Sequence, residues 1–156
     1  QQRIKLDQGI VLLDTPGVLW PKLENQHGGY RLAVTGAIKE TAVSNDDIAM
    51  YALAYLREAY PESLKDRYKL AELAKDDVTL LEMIGRKRGC LRSGGIVDLE
   101  RAAKILLTEL RAGTLGRVTL ETPAMMENEL LAVANIRKLQ AAKKAAKELK
   151  KSGMRS

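Results

Sequence analysis

The sequence predicts a mainly α-helical chain that opens with a small remnant of an α/β domain, two strands and a loop. Three observations carry this. The run Ile10–Leu13, bounded by Gly9 behind and Pro16 in front, has the length and branching of a strand covered on both faces, as in a mostly parallel sheet. From Asn45 onward, apolar residues recur at three- and four-residue intervals. From Glu127 to Lys151 the chain is rich in alanine and lysine, which favours a long exposed helix with a narrow apolar stripe. The organisation read from this is a remnant at 1–40, a helical body at 41–123 and a basic helical tail at 124–156.

The elements follow in order. Residues 3–6, "RIKL", alternate and precede Asp7-Gln8-Gly9, so they read as an edge strand turning into the strand at 10–13. Two strands without crossover helices cannot cover an apolar run, so the rest of a larger α/β domain is expected outside this chain, and the strand edge is a point of self-association. Gly28, Gly29 and Gly36 read as loop punctuation. Asn45, with Asp46 and Asp47 in its first turn, opens a helix with Ile48, Ala52, Tyr55, Leu56 and Ala59 on one face, closed by Pro61. One or two short helices fill 62–74. Asp76 or Asp77 starts a helix that turns Leu80, Leu81 and Ile84 inward and stops at Gly85. Asp98 begins the clearest helix, with Leu99, Ala102, Ala103, Leu106, Leu107 and Leu110 on one face and Gly113 as its stop. Residues 116–123, "GRVTLETP", read as an extended closing segment.

Composition narrows the function classes. Apolar content of 46% argues for a packed core, and the absence of Phe points to helices packed through Leu, Ala, Ile and Val. No apolar run approaches the roughly 20 residues that cross a membrane, so no membrane partner is expected. His27 and Cys90 are the sole members of their types, so neither a zinc site nor an internal disulfide can form within the chain; a surface histidine and a buried cysteine are expected. The net charge of +6 is uneven: Glu127–Ser156 holds eight Lys or Arg against three Glu, and the remainder is near neutral. A basic end on a near-neutral body suits a polyanion, although lysine-rich helices are often merely solvated.

Two stretches carry chemistry. In "GIVLLDTPGVLWPK", residues 9–22, the strand runs into Asp14-Thr15-Pro16-Gly17. In open α/β sheets ligands bind beyond the carboxyl ends of the strands. A carboxylate there can hold Mg²⁺ through water, and a glycine after it lets a backbone N–H approach a phosphate oxygen, as in the D-x-x-G motif of GTP-binding proteins. The plain alternative is a capped turn. In "GRKRGCLRSGG", residues 85–95, Arg86, Lys87, Arg88 and Arg92 are interleaved with four glycines. Guanidinium forks and glycine N–H groups suit RNA phosphates; the alternative is that these cations pair with acidic neighbours.

The blocks "LLDTPGVLWPK", "YRLAVTGAIKE", "IGRKRGCLRSGG" and "LRAGTLGRVTLETP", in that order, resemble the end of the ribosome biogenesis GTPase A family, the YlqF type of circularly permuted GTPases. The likeness covers about residues 1–123. It implies that the strands and switch loop are the remnant of a P-loop GTPase domain, that Asp14 to Gly17 is its last nucleotide motif, and that the cofactors of the intact protein are GTP and Mg²⁺, with Asp14 reaching the metal through water. It further implies that the helical body contacts 23S-type rRNA during late assembly of the large (50S) ribosomal subunit, in the cytoplasm and on the ribosome. RNA contact would fall to Arg86, Lys87, Arg88 and Arg92, with the tail lysines Lys143, Lys144, Lys147, Lys150 and Lys151 adding a less selective attraction. No G-x-x-x-x-G-K-[ST] or Asn-Lys-x-Asp motif occurs in residues 1–156, so these parts are expected upstream, and the chain by itself is expected neither to bind nor to hydrolyse GTP. Val18 stands where Ras-like enzymes place a water-orienting glutamine, as the resemblance implies, and His27 does not match the family's proposed catalytic histidine. Two rivals remain at this point: an RNA-binding helical module without nucleotide chemistry, and a protein-interaction scaffold.

Overall fold

The computed structural model describes residues 2–5, 10–14, 25–38 and 44–153. Strands β1 (Gln2–Lys5) and β2 (Val11–Asp14) pair antiparallel, with Gln2 opposite Asp14 and Lys5 opposite Val11. Six helices follow: α1 (Gln26–Val34), α2 (Asn45–Ala59), α3 (Pro61–Tyr68), α4 (Asp77–Lys87), α5 (Leu99–Arg111) and α6 (Pro123–Gly153). The chain is therefore mainly helical behind a two-stranded remnant. The strand at 10–13 was expected to lie inside a mostly parallel sheet, covered on both faces. Among the described residues it has one antiparallel neighbour, and Ile10 and Val11 are more than half exposed. A lone hairpin offers no second layer to cover it.

Helix α2 is the axis of the body and packs against α1, α3, α4 and α5. Its Ile48, Ala49, Ala52, Leu53 and Leu56 meet Leu80, Leu81 and Ile84 of α4 and Ala102, Ala103, Leu106 and Leu107 of α5 in one buried aliphatic core. Leu64 and Tyr68 of α3 close one end. Cys90 is fully buried and His27 exposed, as their residue types led us to expect.

The helix starts rest on capping side chains. Ser44 Oγ accepts the Asp47 N–H at 3.1 Å and donates to its carboxylate at 2.8 Å, so the cap of α2 is Ser44 rather than Asn45. Asp76 accepts from the Thr79 N–H at 2.8 Å and Asp98 from that of Arg101 at 3.1 Å. Pro61 both bars extension of α2 and occupies the first turn of α3.

Three expectations are corrected. Gly85 does not stop α4, which continues to Lys87. Gly89, at φ +68°, is the stop: its N–H reaches the Arg86 carbonyl and the Cys90 N–H the Gly85 carbonyl, satisfying two carbonyls the helix leaves open. Gly85 is instead a contact point, since a Cβ there would stand 2.6 Å from Val97 Cγ1 and 3.1 Å from Ala102 Cβ. Second, the glycines at 28 and 29 lie inside α1, not in a loop. Asn25 caps this helix, accepting from the N–H groups of His27 and Gly28, and Ala33 and Val34 enter the core. This helix lies within the segment 1–40 that the sequence groups with the strands. Third, α6 begins at Pro123, four residues before the expected Glu127.

Side chains tie the ends together. Arg111 of α5 donates to the carbonyls of Ala33 at 2.8 Å and Val34 at 2.9 Å, closing the end of α1. Residues 116–122 are irregular, held where Tyr55 Oη donates to the Thr119 carbonyl at 2.6 Å and the Thr119 N–H donates to Tyr60 Oη at 2.9 Å. Arg31, 6% exposed, is ion-paired with Glu129 of α6, which also accepts from Asn25 Nδ2 at 2.7 Å. Further along α6, Leu130, Leu131, Ile136 and Leu139 are all more than half exposed, in keeping with the narrow apolar stripe read from the sequence.

Candidate nucleic-acid interface

Strand β2 ends at Asp14, so this residue does stand at the carboxyl end of a strand. Thr15, Pro16 and Gly17 lie outside the described residues, as do the side chains of Asp14, Lys147, Lys150 and Lys151. Among the described residues no cluster of three His, Cys, Asp or Glu could hold a metal ion, and no helix is long and apolar enough to cross a membrane.

The basic stretch is better defined. Helix α4 carries Arg86 and Lys87 on its last turn, both exposed, their side chains without hydrogen bond or ion pair among the described residues. Cations at a helix C-terminus stabilise the open carbonyls. Beyond them the chain does not form a loose glycine loop. Leu91 bridges to Val97, the Arg92 N–H donates to the Ile96 carbonyl at 2.8 Å and the Asp98 N–H to the Cys90 carbonyl at 2.8 Å, around a 3₁₀ turn at Ser93–Gly95. The buried Cys90 anchors one side of this turn, and Gly85 allows Val97 to seat the other.

The sequence left open whether the four cations meet phosphates or acidic neighbours, and the structure divides them. Arg92 grips Asp98 with Nε and Nη2, both at 3.0 Å; that bond chiefly holds the Asp98 carboxyl below its ordinary range and raises the guanidinium. Arg88 is ion-paired with Glu109 and lies 5.9 Å over the Tyr68 ring. Glu109 is only 8% exposed and also receives Arg67 Nε at 3.1 Å and Nη2 at 2.9 Å. A carboxylate three residues after Leu106 falls on the buried face of α5, where it persists only because two arginines meet it. Burial pushes the Tyr68 hydroxyl up to about 12, so it stays neutral beside these charges.

Two residues escaped the sequence reading. Arg101 and Lys104, three apart on the exposed side of α5, line an open cleft of about 440 Å³ together with Lys87, Arg88, Thr108 and Glu109. The Arg101 side chain makes no hydrogen bond or ion pair among the described residues; Lys104 pairs with Glu100 at 2.7 Å on the open surface. The signal was present as basic residues on the polar stripe of an amphipathic helix. Lys143 and Lys144 are exposed on α6, well along the helix from where Glu129 docks it.

No family model matches the chain. Individual proteins do. The chain is 50% identical over 123 residues to Ribosome biogenesis GTPase A of Bacillus cereus, a match that covers 79% of this chain and 42% of that protein. To the protein of the same name from Priestia megaterium it is 48% identical over 130 residues, covering 83% and 45%. Among solved structures, GDP-bound YlqF of T. maritima superposes with a TM-score of 0.51 at 28% identity, over 79% of this chain and 49% of that one. The chain thus spans less than half the length of the curated relatives it matches. By sequence and by fold, it is homologous over about four-fifths of its length to part of the YlqF-type Ribosome biogenesis GTPase A proteins.

Proposed function

We propose that this chain is the C-terminal part of a GTP-hydrolysing protein of ribosome biogenesis, acting in late assembly of the large (50S) subunit in the cytoplasm. The observation that carries the reading is the 50% identity to a Ribosome biogenesis GTPase A over 123 residues, joined to the position of Asp14 at the end of strand β2. In the intact protein Asp14 holds Mg²⁺ through water, and the Gly17 N–H senses the terminal phosphate of GTP. The metal supplies charge neutralisation on the phosphates. Residues 1–156 hold no segment with the pattern of the phosphate-cradling loop or the base-reading motif; in an intact protein of the relative's length, of which the match covers 42%, these would lie outside this sequence. The helical body binds 23S-type rRNA. Arg86 and Lys87 meet phosphates directly, Arg88 and Arg92 present their remaining N–H groups from fixed ion pairs, and Lys143, Lys144, Lys147, Lys150 and Lys151 add a general attraction.

The test is nucleotide titration by calorimetry of residues 1–156 and of a longer protein carrying the preceding residues, with and without large-subunit particles. The longer protein is expected to bind GTP and to hydrolyse it faster on the particles, while residues 1–156 give no isotherm at micromolar GTP. Micromolar binding by residues 1–156, or no binding by the longer protein, overturns the proposal.

A further inference from the structure

We infer that the cleft between the end of α4 and the outer face of α5 is a phosphodiester-binding site, in which Lys87 and Arg101 make the direct contacts and Arg88 is a positioning residue. This rests on the RNA reading above and extends it from Lys87 and Arg88 of the loop sequence to Arg101 and Lys104, which that sequence does not contain.

The partnering of the charges supports it. Four cations, Lys87, Arg88, Arg101 and Lys104, line the cleft against one carboxylate, Glu109. That carboxylate is already shared by Arg67 and Arg88, so it has no capacity left to neutralise the others. The Lys87 and Arg101 side chains make no hydrogen bond or ion pair among the described residues, Arg101 standing only in the longer-range field of the Asp98 carboxylate that Arg92 already holds, and the Lys104–Glu100 pair is an exposed i,i+4 contact that a phosphate readily replaces. The cations are also held on firm supports. Lys87 sits on the last turn of α4, whose end is closed by Gly89 and Cys90, and Arg101 on the first turns of α5, capped by Asp98. Gly85 brings the two helices together, so the spacing between these charges is set by backbone packing rather than by flexible chain.

The shape favours a polymer over a small anion. The cleft is wide at about 440 Å³ and open to solvent, and Arg101 and Lys104 are separated by a rise of about 4.5 Å along α5. Such a row neutralises successive phosphates of one strand, where a single enclosed phosphate would want donors converging from all sides.

The experiment measures fluorescence anisotropy of a labelled 23S-type rRNA domain transcript, and of a random RNA of equal length, with the full 156-residue chain from 0.05 to 0.3 M salt. The K87A/R101A variant is compared with K143A/K144A, which removes the same charge from α6. Losing two phosphate contacts is expected to weaken rRNA binding by about 25- to 60-fold at 0.1 M salt and to flatten the slope of log K against log salt by about 1.5. K87A/R101A is also expected to abolish the preference for rRNA, whereas K143A/K144A weakens both RNAs alike. An unchanged melting temperature confirms that the exposed substitutions leave the fold intact. If the wild-type chain binds neither RNA, this inference and the RNA reading both fall. If it binds rRNA and K87A/R101A loses no more than K143A/K144A, the site alone is wrong. Displacement of the RNA by poly-glutamate at equal charge concentration would show an acidic polypeptide to be the better ligand, and would overturn the assignment to a phosphodiester.

Discussion

Substituting Gly85 by alanine sets two effects of known sign against each other. Alanine within a helix is favoured over glycine by about 1 kcal/mol, and position 85 lies inside α4 with two residues of helix still to follow. Against this, the added methyl would stand 2.6 Å from Val97 Cγ1 and 3.1 Å from Ala102 Cβ, where ordinary contact begins near 3.5 Å. Ala102 Cβ is fixed to the backbone of α5 and has no rotamer to change. Val97 is held by its bridge to Leu91, so its methyl can move about an ångström only if the turn moves with it. Overpacking of this kind costs about 1–3 kcal/mol. The net expectation is a loss of up to about 2 kcal/mol, or a fall in urea midpoint of up to roughly 1 M for a protein of this size. Urea unfolding followed by far-ultraviolet circular dichroism measures it. Val97→Ala removes the nearer obstacle, so the double variant should recover at least about 0.5 kcal/mol relative to additivity. A Gly85→Ala protein more stable than the wild type would refute the reasoning, for then the helix preference has won and the close approach is not felt.

Two other outcomes follow from charges described above. The bond from Arg31, assisted by Asn25, holds the Glu129 carboxyl at about 2 against an ordinary 4.5, so the docking of α6 that it provides is fully present above about pH 4.5 and is lost as pH falls through about 2. Titration of the Glu129 side-chain carboxyl by carbon NMR checks this, and an ordinary carboxylate value there contradicts it. Replacing Glu109 with Ala strands Arg67 and Arg88, and should cost about 2–3 kcal/mol in urea unfolding. That is below the figure for a fully buried pair, because both arginines are about a third exposed and can turn to water; a cost under 0.5 kcal/mol is inconsistent with the shared carboxylate.

The helices α2, α4 and α5 are legible because each joins a periodic apolar face to a capping side chain, and the spacing carries Ile48, Leu81 and Leu106 into the core, although Ala59, expected on the inner face of α2, is exposed and Ala49 and Leu53 are buried there instead. What local pattern could not convey was tertiary. Gly28 and Gly29 are poor helix formers, yet α1 exists because Arg31 finds Glu129 some 98 residues away and because Arg111 closes its last turn. Gly85 looks like a stop to any local rule, and only the neighbouring Val97 and Ala102 show it to be a contact. The candidate site was half legible for the same reason. Four cations in eleven residues are conspicuous, but whether each is spoken for depends on Glu109 and Asp98, and only Asp98 lies near enough in sequence to suggest a pairing. Arg101 and Lys104 gave no distinguishing local signal, because they stand on the polar side of an amphipathic helix, which ordinarily faces solvent.

The docking of α6 has a mechanical consequence. Its pivot is Glu129, gripped by Arg31 of α1 and by Asn25, the residue that caps α1, both of which follow the segment containing the nucleotide motif. From there to Gly153 the helix runs a further 24 residues, an arm of about 36 Å at the standard rise. A tilt of about 10° at the pivot therefore sweeps the lysine-bearing tip through about 6 Å, comparable to one phosphate step along a nucleic-acid strand, so that a fraction of an ångström at Asn25 is geared into a move of that size at the far end.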